Sequence, residues 1–367
     1  MKTVDRPKES TASGTPLGPI SGIINMKKVL VTLLTALCLL TTILSGCGKQ
    51  SENKSESKIK IGVSAYDMYD TFLGQLVEQF QSFQNEDVEI VVYNAAQSQQ
   101  TQNSQVKKMI EDGMDVICVN LVDRTDPTAV IDSARKADVP VIFFNRELVE
   151  GDIGRWDKLF YVGADAEESG VMQGELAAWA CITRDDVDRN GDGVIQYVVL
   201  EGEAGHQDAI VRTEASVNTL KKQGVEIDKL GYAIANWNRA QAQTKAKQFI
   251  EDFGYDIELV LSNNDDMALG AIDAYEAMAI PRNKWPAILG IDGTDVGLEA
   301  VKDDKMVGTV YNDKEGQATA MFELACVLAK GGSIEELSDK YTIENGRYIR
   351  LPYAKVTSSN IIQFIGR

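Results

Sequence analysis

The sequence predicts an α/β fold made of two doubly wound, mostly parallel sheets. Near-continuous Val/Ile runs alternate with helix-period segments, the rhythm starts afresh after Asp165, and 367 residues with 44% hydrophobic content suffice for two cores. In the first half "KIKIGVSAY" is strand-like, Thr71 to Phe83 has helical apolar spacing, "VEIVVYNA" is a strand, and Gln105 to Asp112 belongs to a helix. The runs "DVICVNLV" and "VPVIFFN" follow, with a helix between them. After Asp165 come a helix from Glu168 to Ala180, a polar loop, and the strands "VIQYVVLEGE", "GYAIAN", "IELVLSNN", "AILGID" and "VGTVYND", separated by helices. No exact internal repeat is visible.

The formal charge is −18, and because residues 1 to 46 hold five Lys/Arg against two Asp/Glu, the remainder carries −21. Such a balance argues against neutralising nucleic-acid phosphates, and no basic stripe interrupts it. Lys27 and Lys28 precede an apolar stretch from Val29 to Leu44, followed by "LSGC". A short positive region, a hydrophobic core and small residues before a cysteine look like a bacterial lipoprotein signal, with Cys47 as the lipid-bearing first residue of a protein on the outer face of the cell membrane. The alternative, a membrane-spanning helix, needs roughly 20 apolar residues, more than this stretch offers. Met26 is the expected start of the signal, which leaves residues 1 to 25 as a misassigned leader and 47 to 57 as a polar tether. Of the other cysteines, Cys38 leaves with the signal. Cys118 and Cys326 sit in apolar strand and helix patterns, Cys181 is the third that remains, and buried inert thiols are the expectation. The single histidine, His206, rules out a histidine-rich metal centre.

Two features carry chemistry. In "DVDRNGDGVIQY", Asp188, Asn190 and Asp192 alternate before Gly193, the opening of a calcium loop. The glutamate that normally ends such a loop is absent, since its position is Val199. Spacing alone therefore leaves calcium and a polar turn of Asx type both open. The second feature lies at the carboxyl ends of the predicted strands, where open parallel sheets bind ligands. Those positions hold Asp70, Phe72, Asn145, His206, Asp208, Arg212, Trp237, Asn264, Asp292 and Asn312. Planar amides and carboxylates, a forked arginine and two flat aromatics suit a pyranose, whose hydroxyls ring an equator between apolar C–H faces. Helix capping competes at each single position, with Asp265 as a candidate cap after Asn264, but explains the whole set poorly.

The segments "IGVSAYDMYDTF", "VPVIFFNRE", "FYVGADAEESGVMQGEL", "DRNGDGVIQYVVLEGEAGHQDAIVRT", "NWNRAQA", "LVLSNNDDMALGAI", "GIDG", "GTVYND" and "RLPYAKV" together, and in this order, resemble the periplasmic galactose/glucose-binding proteins. The resemblance runs from about Lys58 to the C-terminus. It implies the type I periplasmic binding protein fold: two lobes, 58–164 plus 313–349 and 165–312 plus 353–367, joined by a three-strand hinge around one sugar. It assigns hydrogen bonding to Asp70, Asn145, His206, Asp208, Arg212, Asn264, Asp292 and Asn312, and stacking to Phe72 and Trp237. It also implies a structural calcium ion closed by a distant glutamate, Glu258, with Asp188, Asn190, Asp192, the Val194 carbonyl and Gln196 as the other ligands. The residues before the loop depart from the family's usual sequence in carrying extra acids, Asp185 and Asp186, which are expected to raise the local negative charge without ligating.

The expected function is a monomeric, non-enzymatic binding protein that delivers D-galactose or D-glucose to an ABC importer permease. A sugar sensor acting on a chemoreceptor or kinase would share every binding residue. A sugar-responsive transcription regulator would need a basic headpiece where this chain has an export signal, and a hydrolase using His206 and Asp208 lacks a nucleophile motif. Asp70 could accept from either C4 epimer, so the sequence leaves glucose and galactose unranked.

Overall fold

The computed structural model describes residues 58–149 and 151–366. The leader, the signal, the tether and Cys47 lie outside the described residues. The first sheet takes β1 (Ile59–Ala65), β2 (Val88–Asn94), β3 (Val116–Val119), β4 (Val141–Phe144) and β5 (Leu159–Gly163), together with the late strands β11 (Ile343–Glu344) and β12 (Tyr348–Arg350). Its order is β11-β12-β5-β4-β3-β1-β2, parallel except for the terminal β11–β12 pair. The second sheet takes β6 (Ile195–Glu201), β7 (Ile227–Ile234), β8 (Leu259–Ser262), β9 (Ala287–Leu289), β10 (Gly308–Tyr311) and β13 (Ala354–Thr357). It runs β13-β10-β9-β8-β6-β7, with only β13 antiparallel.

Helices cover both faces of each sheet, so the central strands are buried throughout and read as unbroken apolar runs. Around the first sheet pack α1 (Thr71–Gln81), α2 (Gln99–Glu111), α3 (Thr128–Ala137) and α9 (Lys314–Ala329). Around the second pack α4 (Ala166–Thr183), α5 (Gln207–Lys222), α6 (Arg239–Phe253), α7 (Asp265–Ala277) and α8 (Asp295–Lys302). The chain passes between sheets three times: from β5 into α4, from β10 into α9, and from β12 into β13. Among the described residues no helix is long and apolar enough to cross a membrane. Cys118 is buried in β3 and its thiol pKa is raised by burial; Cys181 and Cys326 are partly buried, and all three are free.

Helix α2 starts six residues before the expected Gln105. Its first turns, "QQTQNS", lack an apolar stripe, and the start is set instead by Ser98, whose hydroxyl accepts from the Thr101 amide at 3.2 Å. Helix α4 likewise starts at Ala166, where the Asp165 carboxylate accepts from the Glu167 amide at 2.9 Å. Its glycines let α5 approach closely: a Cβ on Gly170 would lie 2.8 Å from the Arg212 carbonyl, and one on Gly174 would lie 2.6 Å from that of Ser216. The "GVMQG" segment thereby fixes the helix that carries Arg212.

Candidate functional site: a polar cleft between the two sheets

The carboxyl ends of β1 and β4 in the first sheet face those of β6, β7, β8 and β9 in the second. Nine of the ten expected sugar contacts, Asn312 excepted, line the space between them, about 370 Å³ including its open mouth. Asn312 is buried behind this surface: its backbone amide donates to the Asp292 carbonyl at 2.9 Å and its Oδ1 accepts from Gln317 Nε2 at 2.5 Å. Two further lining residues, Tyr66 and Arg146, escaped the sequence reading. Each adjoins the end of its strand, so the strand-end rule that selected Asp70 and Asn145 would also have found them.

On the first lobe, Asp70 serves two purposes. Its Oδ1 caps α1 by accepting from the Leu73 amide at 2.9 Å, and its Oδ2 accepts from the Tyr66 hydroxyl at 2.8 Å. Capping and cleft lining are thus compatible, because a carboxylate has about four acceptor sites. Asn145 sits at φ 59°, a left-handed conformation that asparagine tolerates. Its Oδ1 accepts from Asn120 Nδ2 at 3.0 Å, which leaves its own amide N–H groups to the cleft. This orientation is assigned from the network.

The second lobe supplies buried charge. Arg212 donates from Nη1 to the Asn263 carbonyl at 2.8 Å and from Nη2 to the Tyr353 hydroxyl at 3.1 Å, and lies 3.7 Å from Asp292. Its Nε is buried with no hydrogen-bond partner, an unused donor in a cleft-lining side chain. Burial opposes its charge, yet Tyr353, Asp292 and Asp208 hold its pKa above the usual arginine value. Burial pushes Asp292 well above the carboxylate range, and Arg212 only partly offsets this. His206 caps α5: its Nδ1 accepts from the Asp208 amide at 3.2 Å, so the neutral ring carries its proton on Nε2. Burial, offset by Asp208 and reinforced by Arg146, Arg212 and Arg124, lowers its pKa to about 4.

Trp237, at φ 60°, meets His206 edge-on with centroids 5.2 Å apart, and the Arg212 guanidinium lies 5.8 Å from its ring. Gly202 makes room for this indole, since a Cβ there would fall 2.2 Å from it. Asn264, rather than Asp265, caps α7, accepting from the Met267 amide at 2.9 Å, and its Nδ2 donates to the Trp237 carbonyl at 3.3 Å. Asp265 is instead the first helical residue and fully buried. Burial raises its pKa to about 7 despite hydrogen bonds from Thr309 and Thr294.

The loop between α4 and β6 is shaped from within. Asp188 accepts from the Gly191 and Gly193 amides at 2.7 and 3.0 Å, Asn190 from the Asp192 amide at 2.8 Å, and Asp192 from the Val194 amide at 2.8 Å. Glycine is needed at 191 and 193, whose φ values are 72° and 80°. Asn190 Nδ2 donates to Gln196 Oε1 at 3.0 Å, and Gln196 Nε2 to Asp192 Oδ2 at 3.1 Å. Glu258, distant in sequence, closes the loop: its carboxylate accepts from the amides of Arg189, Asn190 and Gln196 at 2.6, 3.3 and 3.3 Å. It is only 1% exposed and has no salt-bridge partner among the described residues. Burying a carboxylate is costly, and here these three backbone amides offset that cost. Among the described residues no three His, Cys, Asp or Glu side chains are gathered tightly enough to hold a metal by themselves. Asp188, Asp192 and Glu258 therefore do not converge on one point here, and their oxygens accept from backbone amides instead. Asp186 pairs with Arg184 at 2.9 Å, which neutralises one of the extra acids.

The model of the periplasmic binding protein domain family matches residues 61–333. The chain belongs to this family. It is 32% identical to a D-galactose/methyl-galactoside binding periplasmic protein of Haemophilus influenzae, over 83% of this chain and 92% of that one. It is 30% identical to a xylitol-binding protein of Mycolicibacterium smegmatis, over 80% and 78% of the two chains. An ABC transporter solute binding protein of Bacillus halodurans, solved with bound myo-inositol, superposes with a TM-score of 0.70 at 26% identity, covering 85% of this chain and 99% of that one. As a periplasmic binding protein, the chain is a solute binder and not an enzyme, with the two-lobed type I fold.

Proposed function

We propose that this protein captures D-galactose or D-glucose in the cleft and delivers it, outside the cytoplasm, to the permease of an ABC sugar importer. The observation that carries the reading is the convergence of Asp70, Asn145, His206, Asp208, Arg212, Asn264 and Asp292 with the aromatic faces of Phe72 and Trp237 on one cleft. Planar groups that donate and accept in fixed directions match a ring of hydroxyls, and the aromatics match the C–H faces. Arg212 Nε and His206 Nε2 supply donors, and Asp70 and Asp292 supply acceptors. Asn312 acts from behind, supporting Asp292. Sugar that contacts both lobes favours the closed state, with the three crossovers as the hinge. The mature chain begins at acylated Cys47, which tethers it to the membrane.

The same reading gives the loop a calcium ion held by Asp188, Asn190, Asp192, the Val194 carbonyl, Gln196 and Glu258. The buried Glu258 carboxylate supports it. The ion would fix the loop to the start of β8 and take no part in sugar recognition.

Isothermal titration against hexoses, pentoses and cyclic polyols tests the function. D-Galactose or D-glucose should bind at least tenfold more tightly than xylitol or myo-inositol, a difference of about 1.4 kcal/mol. Preference for a polyol, or no binding of any hexose, would overturn the reading.

A further inference from the structure

We propose that Arg124 and Arg146 form a clamp that holds the 203–208 segment of the second lobe over bound ligand and thereby sets how slowly ligand leaves. The inference rests on the sugar-binding reading. Both arginines are first anchored within their own lobe. Arg146 is 4% exposed, donates from Nη1 to the Val122 carbonyl at 2.9 Å, and lays its guanidinium 3.7 Å from the centre of the Tyr66 ring. Arg124 donates from Nε to the Glu147 carbonyl at 2.7 Å and from Nη2 to the Leu148 carbonyl at 3.1 Å.

Each then reaches across the cleft. Arg146 Nη2 donates to Glu203 Oε2 at 2.8 Å, and Arg124 Nη2 donates to Gln207 Oε1. Glu203 and Gln207 bracket His206, whose backbone amide donates to the Glu203 carbonyl at 3.0 Å, and Asp208 follows directly. The arms therefore grip the short stretch that presents two of the proposed ligand contacts. A guanidinium already fixed by carbonyls and a ring loses little freedom when it meets its partner, so the cross-cleft bonds add to the closed state at small entropic cost. These bonds exist only while the lobes are together. Their loss should accordingly appear in dissociation and leave association nearly unchanged. Arg124 and Arg146 are positioning residues in this role, acting through the segment they hold.

The test is stopped-flow dissociation of D-galactose and D-glucose, followed by intrinsic tryptophan fluorescence, from the parent, Glu203→Gln, Arg124→Gln, Arg146→Gln and the Arg146→Gln/Glu203→Gln double variant. Glu203 is half exposed and its substitution conservative, and a thermal melt matching the parent's checks that the variant keeps its fold. Glu203→Gln should speed release by about tenfold with the association rate within about twofold of the parent. The double variant should release no faster than Arg146→Gln alone, because the two substitutions remove one bond. Added salt should speed release from the parent and have little effect on Glu203→Gln. A Glu203→Gln release rate equal to that of a sugar-binding parent would overturn the clamp alone. A parent that binds neither sugar would overturn the functional reading and the clamp with it.

Discussion

The two lobes share a layer plan but meet the cleft with different chemistry. The second lobe presents buried ionisable groups: the Arg212 guanidinium, the Asp292 carboxyl and the neutral His206 ring, with Asp265 behind them. They are held by the glycine-mediated packing of α4 on α5 and by Tyr353 at the last crossover. The first lobe presents groups whose hydrogen bonds are already partly spent, Asp70 on its helix cap and Tyr66, and Asn145 on Asn120. It adds two arginine arms. Desolvated charge gives strong but demanding contacts, whereas groups already fixed in direction discriminate at little reorganisation. On the proposed reading, affinity resides in the second lobe, and selectivity and retention reside in the first.

The sharpest way to break this division is Arg212→Ala. It strips Asp292 of its buried partner, so hexose binding should weaken by about 3 to 5 kcal/mol. Titration calorimetry showing a smaller loss than that of Asp70→Asn would invert the comparison. Next comes acid sensitivity. The pKa of His206 falls from 6.5 to about 4 in the fold, so its contribution to stability is present above pH 6.5 and lost as pH falls through about 4, for a total of about 3 kcal/mol. Asp265, raised to about 7, works with the opposite sign between pH 3.8 and 7. Denaturant titrations of the parent minus His206→Asn isolate the histidine, and a difference independent of pH would refute it.

Calcium should sharpen the contrast, because the loop belongs to the second lobe alone. Bound calcium at a hundred times its dissociation constant adds about 2.7 kcal/mol. Chelation should therefore raise hydrogen exchange in β6 and β8 while leaving β1 and β3 protected, and Glu258→Gln should do the same. Uniform exchange after verified metal removal would count against the site. For selectivity, Asp70→Asn should change the galactose-to-glucose affinity ratio by about 1 to 2 kcal/mol. Trp237→Ala should weaken both epimers alike, by about 1 kcal/mol, and remove most of the sugar-induced fluorescence change. An epimer-specific effect at Trp237 would move discrimination to the second lobe.

The sheets were legible because buried parallel strands are written as unbroken apolar runs, and the cleft because their carboxyl ends are marked by polar residues. The resemblance supplied what spacing left open, above all the pairing of Glu258 with a loop 62 to 69 residues earlier, now visible as three amide bonds to its carboxylate. The start of α2 was hidden because its first turns are polar and its cap lies outside the apolar pattern. Asp265 read as a cap because carboxylates before helices usually are. Only the fold shows that it points into Thr294 and Thr309 while Asn264 does the capping. Arg146 was passed over because its neighbour Asn145 satisfied the pattern, and a partner such as Glu203 on another lobe leaves no local trace in sequence.

The three crossovers carry a consequence for how the molecule comes into being. Neither lobe corresponds to one stretch of polypeptide: the first sheet waits for β12, and the second for β13, only a few residues later. A chain emerging from a ribosome or a secretion channel N-terminus first cannot finish either lobe until almost all of it is out. Both cores must then close nearly together, through contacts of long sequence separation that make for slow folding. The last strands to be made are therefore the ones that complete both lobes.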